Sequence, residues 1–114
     1  MNEDDIPILK KAYELYKTFH EYRKAVPKHD RHTIYERGER LILEIIESLF
    51  LAGYAKLANK AMLLEQVSAK INLLRLVVRL MKDTKTLDNK KYVTLQEIID
   101  DIGRQLGGWS RSVR

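Results

Sequence analysis

Three side chains suited to acid–base or metal chemistry, His29, Asp30 and His32, crowd into one short stretch of this sequence. An imidazole changes charge near neutral pH, and beside a carboxylate it can move protons or ligate a divalent metal. A closed metal site needs further ligands, and the absence of cysteine removes disulfides and thiolate ligation. Helical bundles that hold two irons use Glu-x-x-His pairs on facing helices. The positions three before the histidines are Lys17, Val26 and His29, which closes that route. The stretch therefore reads as a solvated loop. Asp83, Asp100 and Asp101 sit among Lys82, Lys85 and Arg104, where surface ion pairing is the ordinary role of a carboxylate. Ser48, Ser68 and Ser110 lack a nucleophile elbow, and no glycine-rich phosphate loop follows a strand. No catalytic residue, metal or cofactor is expected, and the chain does not read as an enzyme.

Cations carry a stronger pattern. Ser68, Asn72, Arg75, Arg79 and Lys82 recur at helical spacing, forming a polar stripe that becomes basic towards its C-terminal end. Nothing on that stripe is acidic, so it lacks neutralisation from its own helix and suits nucleic acid or an acidic protein. Tyr13, Tyr16, Phe19 and Tyr22 line one helix, a spacing more typical of core than of base stacking.

The elements that must position these residues are helices. Ile8, Ala12, Leu15, Phe19, Tyr22 and Val26 step by three and four, predicting a first helix over about 6–25, with Asp4 and Asp5 as an acidic cap before Pro7. Thr33 with Glu36 reads as a capping box opening a second helix over 33–54. A turn is placed around Ala55 to Lys60. Leu64, Val67, Ile71, Leu74, Val78 and Met81 form the core face of a third helix over 61–85. Thr94 with Glu97 predicts the start of a fourth helix over 93–106, which Gly107-Gly108 stops. Residues 110–114 read as a loose basic tail. Short connections between four amphipathic helices predict an all-α, up-down four-helix bundle spanning 1–114 as one domain.

The 114 residues carry 21 Lys and Arg against 16 Asp and Glu, a formal charge of +5, with acids at Glu3, Asp4 and Asp5 and bases at Arg104, Arg111 and Arg114. No stretch is apolar enough to span a membrane and the acidic start is unlike a signal peptide, so a soluble, cytoplasmic protein is expected. Leu41, Ile46 and Phe50, with Leu73, Val77 and Leu80, exceed what one bundle seam requires, so burial between subunits is expected.

Two stretches carry a resemblance. The first runs from Pro27 to Arg37 (PKHDRHTIYER). The second comprises Leu73-Leu74-Arg75-Leu76, Arg79 to Asp83, Tyr92, and the ending Ile102-Gly103-Arg104-Gln105-Leu106-Gly107-Gly108-Trp109. Together they resemble the accessory variability determinant (Avd) of diversity-generating retroelements over nearly the whole chain, and the IGRxLGGW ending is the specific part. The sequence departs from that pattern at Tyr35, where a glycine is common, and at Gly38, where an aliphatic residue is common. The resemblance implies a bundle subunit of a homopentameric barrel. It also implies a non-enzymatic partner of the element's reverse transcriptase that binds template RNA, with DNA as a further ligand, and supports mutagenic reverse transcription and retrohoming. The contact residues expected are Arg75, Arg79 and Lys82 on the third helix and Arg104 on the fourth. Arg31 and Arg37 flank the first junction as second choices, Arg37 being equally suited to an intersubunit ion pair. Two alternatives stay open: the related family encoded in ribosomal RNA intervening sequences, with the same fold and assembly, and a basic oligomeric scaffold that meets a protein without touching RNA.

Overall fold

The computed structural model describes residues 6–113. The acidic cap at Asp4 and Asp5, with Glu3, and the terminal Arg114 lie outside the described residues. The chain forms α1 (Pro7–Tyr22), a 3-10 turn (Arg23–Ala25), a short α2 (Lys28–Arg31), α3 (Ile34–Tyr54), α4 (Leu57–Asp83) and α5 (Asn89–Ser112). The four long helices make the expected bundle. α1 packs on α3 and α5, and α4 closes the ring between them, so each helix meets two neighbours in a body 43 Å long. Ala12, Phe19, Ile45, Leu49, Val67, Leu74, Val78, Leu95 and Ile99 are among the side chains sealed in its core.

Boundaries differ from expectation where a local signal competed with packing. The loop after Pro27 contains the single turn of α2, whose free carbonyls draw Thr33 backwards: its Oγ1 donates to His29 O (3.3 Å) and Asp30 O (3.4 Å) instead of capping α3. The break between α3 and α4 is only Ala55 and Lys56, both extended, so α4 begins at Leu57 rather than near 61. α4 ends at Asp83, and α5 begins at Asn89 rather than at 93 because Asp88 is its cap, accepting from Lys91 N at 2.8 Å. Thr94, read as a cap, lies inside α5 and donates to Lys90 O. Gly107 and Gly108 do not stop that helix, nor are residues 110–112 a tail. Leu106 is buried and Trp109 and Val113 pack against the core, so burial of these flanking side chains outweighs the low helix propensity of two glycines.

Two residues expected in an intersubunit patch, Leu41 and Val77, belong to the bundle's own core. A bundle helix touching two neighbours buries a wider arc than one seam. Of that patch Phe50 on α3 and Leu73 and Leu80 on α4 stay exposed, as does Leu76 on α4, each 40–56% accessible, and Ile46 on α3 is half-buried.

The departures at Tyr35 and Gly38 explain each other. The Tyr35 ring is buried against Phe19, centroids 4.0 Å apart and nearly parallel, and its hydroxyl donates to Phe19 O. Burial holds that phenol well above its ordinary pKa, so it stays a donor. One turn on, a Cβ at Gly38 would stand 2.9 Å from Phe19 Cζ and 2.7 Å from Met81 Cε. A large residue at 35 fixes Phe19, and the space for it is opened at 38.

Candidate nucleic-acid interface

α4 presents its core stripe to the bundle, so Arg75, Arg79 and Lys82 emerge along its α5-facing and outer side. They do not share one environment. Arg75 lies across α5: Nη2 meets Asp100 Oδ1 at 3.3 Å and Nη1 donates to Asn72 Oδ1 at 3.0 Å. Its seat is Gly103, where an added Cβ would approach Nη2 to 2.7 Å. The stripe read as unneutralised is therefore neutralised here from the next helix, which spacing along α4 alone does not reveal.

Arg79, one turn further, is exposed and has no ion pair among the described residues. Lys82 is exposed and sits above the Tyr92 ring, 4.9 Å from its centroid, again without an acid. Arg104 projects into solvent and pairs with Asp101 at 3.2 Å, a carboxylate shared with Lys11 at 3.5 Å. Glu14 and Asp101 together hold the Lys11 ammonium above its ordinary range.

At the first junction Arg31 turns inward. Its Nε donates to Val26 O at 3.0 Å and Nη2 to Lys24 O at 3.4 Å, closing the 3-10 turn onto α2. Arg37, on the first turns of α3, is exposed with no side-chain partner among the described residues. Arg37, Arg79 and Lys82 are thus unpaired with acids, while Arg75, Arg104 and Arg31 hold the protein's own groups.

His29 and His32 diverge. His29 Nε2 lies 3.4 Å from Asp30 Oδ2, whereas His32 Nδ1 faces Glu36 at 4.0 Å. Asp30 instead accepts from Thr86 Oγ1 at 3.1 Å, tying α2 to the α4–α5 connection. Among the described residues no three His, Asp or Glu side chains converge on a point that would hold a metal.

Sequence reasoning passed over Lys85 and Lys91, which lie with Lys82 around the α4–α5 connection. The signal is the density of lysines in the run from Lys82 to Lys91 (KDTKTLDNKK), of which only Lys82 stands out by its place on the stripe. On another side, a groove of about 560 Å³ runs between α1 and α3, floored by Leu9, Leu43, Ile46 and Phe50 and flanked by Tyr13 and Lys17. The exposed Leu73, Leu76 and Leu80 form a ridge on α4. Lys70, on the α3-facing side of that helix, approaches Glu44 at 4.0 Å. No helix among the described residues is long and apolar enough to cross a membrane.

Residues 6–113 match the family model described as bAvd-like. No curated protein matches the chain.

Proposed function

The chain belongs to the bAvd-like family, the Avd-type accessory proteins of diversity-generating retroelements, which are not enzymes; from that premise we propose that it binds the element's reverse transcriptase and template RNA through a basic surface. The polymerase makes every bond. The accessory protein holds structured RNA against it and so supports mutagenic reverse transcription and retrohoming. The observation that carries this reading is that three of the six expected contact residues, Arg37, Arg79 and Lys82, have no acidic partner among the described residues, in a chain of net charge +5. Phosphate contacts of this type position a strand without reading bases, so sequence preference is weak and binding falls steeply with salt. Arg75 fixes α5 to α4 and Arg31 closes the first junction, while Arg104 is held by Asp101 on its own helix.

Assembly into a homopentamer belongs to the same proposal. Its support is the pair of unlike apolar features, a groove between α1 and α3 and a ridge on α4. A groove and a ridge on different sides fit a head-to-tail contact, the type that closes into rings. A ring buries both and gathers the basic surface of several chains.

The test is competition. Purified protein is loaded with labelled DNA and titrated with unlabelled RNA, and its mass is followed by light scattering. RNA displacing DNA from a species five times the chain mass supports the reading. A protein that captures the reverse transcriptase yet holds neither nucleic acid is instead a protein scaffold.

A further inference from the structure

The end of α1 and the α4–α5 connection enclose a recess of about 500 Å³ at one tip of the bundle, lined by Lys82, Lys85 and Lys91 beside Tyr22 and Thr86. Asp88, the acid on its wall, is already engaged by Lys91, through both the backbone N–H (2.8 Å) and the ammonium (3.0 Å). Lys82 and Lys85 have no acidic partner among the described residues. With Asp88 already engaged by Lys91, Lys82 and Lys85 face the recess without an acid of their own and repel one another, an arrangement that an anion relieves.

Lys85 adds an independent sign. Its φ of 64° makes it the one non-glycine residue in the left-handed region among the described residues. It occupies the position after the α4 C-cap, with its N–H donating to Lys82 O at 3.1 Å, where glycine is the ordinary choice. A side chain kept where glycine is easier is the outlier from which a functional role is argued. The surrounding connection is firmly held. Leu87 is buried with its N–H on Met81 O (3.1 Å), Thr84 Oγ1 donates to Leu80 O, and buried Thr86 is fastened to Asp30. The recess is therefore preorganised, and a ligand need not pay to order it.

We propose that this recess is a phosphate pocket that seats a backbone phosphate of a nucleic-acid strand between the ammonium groups of Lys82, Lys85 and Lys91. Lys82 and Lys85 supply two compact point charges with rotatable donors, and Lys91, shared with Asp88, adds a third donor group, a set that matches a tetrahedral oxyanion bound for its charge. The nucleic-acid source rests on the function proposed above; the phosphate chemistry does not.

Lys85→Gly separates the two. The variant melts a few degrees higher, because glycine accepts the left-handed turn. It nevertheless binds a fluorescent single-stranded RNA about three- to tenfold more weakly near ~0.1 M salt, with a salt slope lower by about one per occupied pocket. A purely structural Lys85 does not give higher stability with lower affinity. Lys82→Gln weakens binding in the same sense. If wild-type protein binds RNA and Lys85→Gly binds it equally well, the pocket is overturned and the RNA reading survives. If wild-type protein binds no RNA, inorganic pyrophosphate decides. A rise in wild-type melting temperature that Lys85→Gly abolishes sustains a pocket for a small phosphate, and no rise overturns it.

Discussion

Two connections at the same tip of the bundle depart from ordinary residue choice in opposite directions. Just past the α1–α3 junction Gly38 stands in the second turn of α3, where a side chain is the rule. At the α4–α5 connection Lys85 stands at a left-handed position, where glycine is the rule. The first departure is explained by packing, since Tyr35 pins Phe19 into the space above Gly38. The second finds no packing explanation, because the Lys85 side chain is exposed and lines a cationic recess. A local penalty offset by the core is structural, and one that the core does not offset points to a ligand.

Substitutions at these positions sharpen or break that contrast. Gly38→Leu has the largest expected effect, a loss of about 3 kcal/mol in urea unfolding, because the added atoms meet a buried ring that cannot yield. A neutral result would mean that Phe19 is not fixed. Tyr35→Phe keeps the stack and removes one buried hydroxyl donor, which costs about 1 kcal/mol. Lys85→Gly carries the opposite sign, a gain of roughly 0.5–1 kcal/mol; a loss would show that the lysine is structural and erase the contrast.

The smallest effect concerns Asp88. The Lys91 N–H, and then its ammonium, hold this carboxyl below the usual range. A depressed folded-state pKa contributes stability above the unfolded value, near ~3.9, and that contribution is lost as pH falls through the folded value. Asp88→Asn keeps a capping oxygen without the titration, so its melting temperature should fall less than that of wild type between about pH 5 and pH 3. Parallel curves would remove Asp88 from the acid response.

The architecture was legible because core positions repeat at helical spacing. Ile8 to Phe19 and Leu64 to Met81 need no tertiary information to be placed on one face each. Helix ends were less legible, because capping motifs are short and recur inside helices. Thr94 and Glu97 spell a capping box, yet Asp88 is the cap, and two glycines were carried through because Trp109 and Val113 had somewhere to pack. The candidate site was read in part. Spacing put Arg75, Arg79 and Lys82 on one stripe, but the acid that engages Arg75 sits on another helix, and the space for its guanidinium is a missing Cβ at Gly103. Lys85 was missed because a left-handed φ is invisible in a residue type that seldom adopts one.

The central claim is that cations without acidic partners hold RNA while their paired neighbours hold the fold. It is tested most directly by the salt dependence of RNA affinity in Arg37→Ala/Arg79→Ala protein, with helicity and mass checked against wild type. The account predicts unchanged helicity and mass, weaker binding at every salt concentration, and a log–log slope shallower by about two per chain in contact. An unchanged slope and affinity would contradict it.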